Sequence, residues 1–379
     1  MGFRYVKSWL PAQTYYFSGS EAVVNGAIAA GCRYFAGYPI TPATEIAEGF
    51  AAKAKEIGAV FIQMEDEIAS IGSVIGASWA GAKAMTATSG PGFSLMQEGM
   101  GYAAMTETPM VIALIQRPGP STGQGTTFAT ADIMQCKWGS HGDYQLIALC
   151  PWSVQEMYEQ TINAFNLAEQ YRLPVILLSE AAISRLEERA EIKPEIRIFD
   201  REKTKGVAPV GLPPDNQTQP MPVLGEGHQT KVAGWTRGYC WGGVSDKVAH
   251  ATLVSRLHHK IIDNRDEIIE YDSYYGDDAE IAVISYGFTA RSSLFAVKAL
   301  RQDGKKVAMV RLKTIWPFPD KLVAKVGSEV KKIFIPEMNM GQVAGEAKKY
   351  TCCEVVSYNQ TDGDVINPYT IMEEVRRLL

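Results

Sequence analysis

Three carboxylates in a row, Glu65, Asp66 and Glu67, stand between a short apolar run and a run of small residues. Residues 59–64 read as a buried strand. Glu67 then opens a helix carrying Ala69, Gly72, Gly76, Ala77 and Ala80. A second strand follows over 84–88, and the loop Ser89-Gly90-Pro91-Gly92 closes the unit. Small residues let another backbone or a flat ligand come close. A carboxylate enclosed there loses its water, its pKa rises, and it can hold or share a proton during a reaction. The same residues admit a plainer reading, an acid set at a helix N-terminus where the dipole favours it.

A second group of residues suits an anion. In Gly37-Tyr38-Pro39-Ile40-Thr41-Pro42-Ala43-Thr44, Thr41 reads as an N-cap and Pro42 as the first helical residue. Free backbone donors and the dipole make a helix N-terminus an anion site. Arg117 follows an apolar strand over Met110–Gln116, so it stands at a strand's C-terminal end, where open α/β sheets bind ligands. Its planar guanidinium fits a carboxylate through two parallel bonds. By spacing alone, an ordinary capped helix and a surface arginine beside a Pro-Gly turn remain open.

These residues need a scaffold, and the pattern around them supplies one. Short apolar runs at 59–64, 84–88, 110–116 and 174–178 alternate with helical stretches. Ser153 and Glu156 have the spacing of a capping box, and Met157, Ala164, Phe165 and Ala168 follow on one face. Strands alternating with helices imply an α/β fold, a doubly wound parallel sheet covered on both faces. Residues 1–195 form this first domain. Over 196–270 the alternation breaks into a linker or irregular excursion rich in proline and glycine. Trp235, Tyr239 and Trp241 there are expected to pack on a domain or partner, and His258-His259 to lie at the surface. Over 271–379 the alternation resumes in a smaller α/β domain. Its strands are Ile281–Ser285, Val307–Leu312 and 332–336, and Thr289 is placed as the cap of the helix after Gly287.

The composition excludes several classes. A net charge of -5 gives no basic footprint for nucleic acid. No apolar run approaches the roughly 20 residues of a membrane helix, and no secretory signal is seen, so a cytoplasmic protein is expected. The six cysteines are scattered, without a C-x-x-C pair, and read as reduced thiols. Their spacing also fails the clustering of an iron–sulfur site. Asp362-Gly363-Asp364 reads as a turn.

The order of glutamate, small-residue helix, strand and Ser-Gly-Pro-Gly loop resembles the pyrimidine-binding domain of thiamine-diphosphate enzymes. Tyr38-Pro39-Ile40-Thr41-Pro42 looks like the hallmark of the 2-oxoacid:ferredoxin oxidoreductase family. The likeness to that family's α subunit continues through Met64-Glu65-Asp66-Glu67, Thr86 to Gln97, Ala103 to Pro109 and Arg117-Pro118-Gly119-Pro120-Ser121-Thr122-Gly123. It is looser over 271–379, which resembles a transketolase C-terminal domain, with Pro336 to Gln342 fitting that pattern.

The resemblance implies roles. Glu67 would be the catalytic residue, driving the cofactor's aminopyrimidine into its imino form. Tyr38, Pro39, Ile40, Ser89 and Gly90 would hold the cofactor with Glu67, and Thr41 and Arg117 would meet the 2-oxoacid. It implies thiamine diphosphate shared with a partner chain. The Gly-Asp-Gly motif that carries Mg²⁺ and the diphosphate is missing here. Mg²⁺, the diphosphate half and [4Fe-4S] would therefore sit on a β subunit or further chains, with ferredoxin and coenzyme A as further partners. The run from Gly119 to Gly123 and Trp138-Gly139-Ser140-His141-Gly142-Asp143 look most like the 2-oxoglutarate branch. Gln124 to Thr130 departs from it, which leaves aryl or branched-chain 2-oxoacids open. A non-catalytic scaffold subunit and a non-oxidative thiamine enzyme are the other readings.

Overall fold

Short runs of Val, Ile, Leu and Ala without alternation suit strands buried on both faces, and the computed structural model places most of them so. It describes residues 2–204, 218–227, 231–237 and 245–379. Six strands form a parallel sheet: β1 (Cys32–Gly37), β2 (Val60–Gln63), β3 (Lys83–Thr88), β4 (Met110–Gln116), β5 (Ile147–Leu149) and β6 (Pro174–Glu180). Their spatial order is β5-β6-β4-β3-β1-β2. A seventh strand, Thr314–Trp316, pairs antiparallel with β5 from far along the chain.

Strands β3, β4 and β6 are buried throughout. On one face lie the helices Gly19–Ala29, Thr44–Ala54 and Val154–Tyr171, packing Val23, Phe50 and Phe165 against Val111, Ala113 and Leu177. The expected buried face of Met157, Ala164, Phe165 and Ala168 is found. On the other face Val74 and Trp79 meet Ile112 and Leu114. The expectation of a buried strand at 59–64 fails. β2 is the edge strand, and Val60 and Ile62 remain 48% and 38% exposed. Periodicity reports apolar character, not whether a neighbour arrives.

The second sheet contains β7 (Tyr271–Tyr274), β8 (Ile281–Ser285), β9 (Val307–Leu312), β10 (Lys332–Glu337) and β11 (Glu354–Asn359), in the order β7-β9-β8-β10-β11. All pairs are parallel except β7 with β9. Ala282, Ile284 and Leu312 join the same core as Ile112 and Leu114, so the two sheets share apolar packing.

Three local expectations are corrected. Ser153 does accept from the Glu156 amide, but the Glu156 carboxylate takes the Trp152 amide and Arg311 instead of closing the box on Ser153. The Trp152 amide and the buried Arg311 guanidinium occupy the carboxylate that would have reached the Ser153 amide. Thr289 is not a cap. The helix is Gly287–Gln302, and Glu180 reaches across from the end of β6 to accept the Phe288 amide at 2.6 Å. Gly287 sits at φ 54°, and a side chain there would collide with the Glu180 carboxylate. The 196–270 stretch is not irregular throughout, since it holds a helix at Lys247–Ile262. Trp235 is 67% exposed on this chain, over Lys231. Tyr239 and Trp241 lie outside the described residues. His258 is held by the Gln145 amide at 3.0 Å. Among the described residues no helix is long and apolar enough to cross a membrane.

Candidate functional site

Every residue expected to act on cofactor or substrate lies just past the C-terminal end of one of four adjacent strands. Tyr38 to Thr41 follow β1, Glu67 follows β2, Ser89 and Gly90 follow β3, and Arg117 follows β4. The chain leaves β1 toward β2 on one side and leaves β3 toward β4 on the other. The ends of β1 and β3 thus flank the switch point, where a doubly wound sheet leaves a crevice.

Glu67 begins the Glu67–Trp79 helix and is 4% exposed. Glu65 is exposed, while Asp66 serves as the N-cap, accepting the Ala69 amide at 2.7 Å. Only Glu67 of the three acids is therefore enclosed. Its carboxylate lies against Gly92, where an added methyl would strike both the Glu67 carboxylate and the Thr88 hydroxyl. Loss of water raises the Glu67 carboxyl above its ordinary value. Ser89 caps the short helix Gly90–Leu95, but its hydroxyl makes no cap bond and is buried without a partner. Gly72 and Gly76 face outward with nothing within 4 Å, beside Ile68, which is 57% exposed. Gly72 and Gly76 therefore leave an open strip on this helix.

Thr41 is not an N-cap. The helix starts at Thr44 with Ala43 at the cap position, because a residue before proline avoids helical ψ. The Thr41 carbonyl instead accepts from Arg117 Nη1 at 2.6 Å. Arg117 is 8% exposed, and its Nε is buried without a partner. Gly125 closes the cluster: a Cβ there would sit 3.4 Å from Arg117 Nη1 and 3.9 Å from Thr41 Cγ2. Tyr38 and Pro39 stand exposed at the rim, with Ile40 half-buried.

One acid here escaped the sequence reading. Asp132 precedes the Ile133–Trp138 helix and looks like a routine N-cap, yet its side chain caps nothing. Its carboxylate lies against Gly90, and Oδ2 is buried without a partner. Burial pushes the Asp132 carboxyl up to about 7, against the pull of Arg117. The segment carrying it is fastened by the second sheet's loops. Phe128 and Thr130 amides donate to the carbonyls of Gly363 and Met338 at 2.9 and 3.0 Å. The side chain of Asn339 donates to the Thr130 carbonyl at 2.8 Å, and that of Gln342 to the Ala131 carbonyl at 2.6 Å. Asp362-Gly363-Asp364 is a turn, with the Asp364 amide bound to Asp362 Oδ1 at 3.0 Å. Among the described residues no group of three or more His, Cys, Asp or Glu could hold a metal ion.

With this geometry in hand, residues 25–240 match the family model described as pyruvate flavodoxin/ferredoxin oxidoreductase, thiamine diphosphate-binding, and 279–371 match pyruvate:ferredoxin oxidoreductase core domain II. The chain is 48% identical over 368 residues to the 2-oxoglutarate synthase subunit KorA of Methanocaldococcus jannaschii, covering 96% of this chain and 98% of that one. It is 33% identical over 364 residues to the ketoisovalerate oxidoreductase subunit VorB of Methanothermobacter marburgensis, covering 95% and 96%. A solved 2-oxoglutarate:ferredoxin oxidoreductase from Magnetococcus marinus, with 2-oxoglutarate, coenzyme A and succinyl-CoA bound, superposes with a TM-score of 0.91 at 32% identity. The match covers 97% of this chain and 65% of that one.

Proposed function

Because the chain belongs to the 2-oxoacid:ferredoxin oxidoreductase family, we propose that it is the thiamine-pyrimidine α subunit of a complex that converts 2-oxoglutarate, coenzyme A and oxidised ferredoxin into succinyl-CoA, CO₂ and reduced ferredoxin. The observation that carries this reading is the crevice where buried Glu67 packs under the Ser89–Gly92 loop while Arg117 grips the Thr41 carbonyl. The higher identity to the 2-oxoglutarate relatives than to the ketoisovalerate one supports the substrate.

The residues present fit thiamine diphosphate's pyrimidine half. A buried acid with a raised pKa and glycines at van der Waals contact make a cradle for a flat polar ring. Glu67, Ser89, Gly90, Tyr38, Pro39 and Ile40 would hold it. When bound, thiamine diphosphate supplies the nucleophilic carbon and the electron sink that decarboxylation needs. Glu67 holds or shares a proton at the pyrimidine nitrogen. Arg117 and the Thr41 hydroxyl orient the 2-oxoacid carboxylate, the guanidinium by paired bonds. The diphosphate, Mg²⁺ and the [4Fe-4S] cluster belong to a β subunit or further chains, and the open strip at Gly72 and Gly76 suits a close-packed partner. The division into 1–195, 196–270 and 271–379 and a cytoplasmic location are parts of the same proposal.

The assay is coenzyme A-dependent reduction of a viologen dye by the complex co-purified from its native source. We expect 2-oxoglutarate to exceed pyruvate, phenylglyoxylate and 2-oxoisovalerate in kcat/KM. A branched or aryl acid in first place would reassign the substrate and leave the family standing. No reduction with any 2-oxoacid would overturn the function.

A further inference from the structure

We infer that Asp132 is a positioning residue that competes with the substrate carboxylate for Arg117, so that binding of the 2-oxoacid is coupled to uptake of one proton by Asp132. The inference rests on the assignment of Arg117 to the 2-oxoacid.

Arg117 arrives from the end of β4, and Asp132 arrives on the segment fastened by Asn339 and Gln342. They do not form an ion pair within 4.0 Å, yet each keeps a buried polar atom without a partner, Nε on Arg117 and Oδ2 on Asp132. A pair left open in this way keeps bonding capacity for a third group. The Asp132 carboxylate also lies against Gly90, and Glu67 lies against Gly92 of the same loop.

The charges around Asp132 are few. Arg117 is the cation facing it. Cys136, on its own helix, has a thiol raised well above its ordinary value by burial, and is neutral. The Asp132 amide donates to Gln116 Oε1 at 3.1 Å, and Gln342 donates to the neighbouring Ala131 carbonyl; both glutamines are neutral. An ionised Asp132 therefore has one guanidinium to answer it. When a substrate carboxylate takes that guanidinium, two anions share one cation in a site poor in water, and a proton on Asp132 removes the repulsion. With the carboxyl raised to about 7, that proton is already present below neutrality and must be taken up above it.

The test uses the assembled complex, with KM and kcat for 2-oxoglutarate measured from pH 6 to 9. In the wild type KM should be flat below about pH 7 and climb above it, approaching about tenfold per unit for one linked proton. In Asp132→Asn, which cannot ionise, KM should stay low and flat across the range, with kcat within a few-fold. A purely structural role would lower kcat and leave the shape of the KM profile unchanged. A flat wild-type KM, or parallel profiles in the two proteins, would overturn the inference. If the variant does not assemble, a flat wild-type profile still overturns the inference. Loss of all 2-oxoacid-dependent reduction in the wild type would instead overturn the proposed function, and this inference with it.

Discussion

The two ends of β4 treat buried charge in opposite ways. Just before its N-terminal end, Glu107 is enclosed by cations. Lys260 Nζ and Arg256 Nη1 donate to Oε1 at 2.9 and 3.0 Å, Arg256 also grips Oε2, Arg237 stands at 3.5 Å, and Arg172 donates to the Glu107 carbonyl at 3.1 Å. Burial would raise this carboxyl, but Lys260, Arg256 and Arg172 drive it well below its ordinary value. At the C-terminal end the Asp132 carboxylate keeps Oδ2 buried without a partner, and burial dominates at Asp132 and at nearby Glu67. A carboxylate with both oxygens taken by cations fixes geometry. One with an oxygen left open keeps bonding capacity for something that arrives later. The difference separates the end that anchors the Lys247–Ile262 helix from the end that faces the crevice.

The sharpest way to break this comparison is Glu67→Gln. The amide cannot take up the proton, so turnover of the complex should fall by roughly two orders of magnitude or more. Thermal unfolding should move little, because the side chain is not part of an ion network. Near-normal turnover would show that the C-terminal end does not use this acid.

Glu107→Gln probes the opposite end. It leaves Lys260 and Arg256 buried without their anion, and removing one partner of a buried pair costs about 3–5 kcal/mol. Denaturant unfolding should report that loss, while kcat per folded complex should be nearly unchanged. A milder loss than about 1 kcal/mol would mean that the cluster is wetter or looser than the contacts imply.

Glu180 refines the comparison, since it combines both conditions. One oxygen caps the Phe288 amide, and the other, Oε2, is buried without a partner. Burial pushes the carboxyl up to about 8 from an ordinary 4.5. The folded state therefore binds more protons than the unfolded state between those values. Its contribution to stability is fully present below about pH 4.5 and is lost as pH rises through about 8. Glu180→Gln mimics the protonated form and keeps an acceptor for Phe288. Its stability relative to wild type should improve with pH across that window, by an amount on the order of 1–3 kcal/mol. A pH-independent difference would mean that Glu180 stays ionised.

Much of the site was legible before any coordinates. Glu67, Arg117 and the Ser89–Gly92 loop follow strands that their apolar runs announce, while the strand before Thr41, Cys32–Gly37, was not read from the sequence. Several features were not legible. Asp132 looks like a helix cap, and nothing local reveals that Gly90 and Arg117 surround it. Glu180 serves a helix that begins at Gly287, far along the chain. The Lys247–Ile262 helix was hidden in a stretch read as irregular, because it docks mainly through Arg256 and Lys260 on Glu107 and buries few apolar side chains.

The sequence by itself determined the alternation of strands and helices, the buried parallel sheet and the places where chemistry-bearing residues leave it. Those depend on apolar periodicity and on motifs a few residues long, which act within one element and its neighbours. Only the tertiary structure decided that β2 is an exposed edge, that the Thr41 carbonyl binds Arg117 instead of Thr41 capping a helix, and that the second sheet delivers Asp132 to the crevice. Each of these turns on which distant segment fills, or fails to fill, the space beside a residue. Burial and charge pairing are set by that neighbour, and no local pattern encodes it.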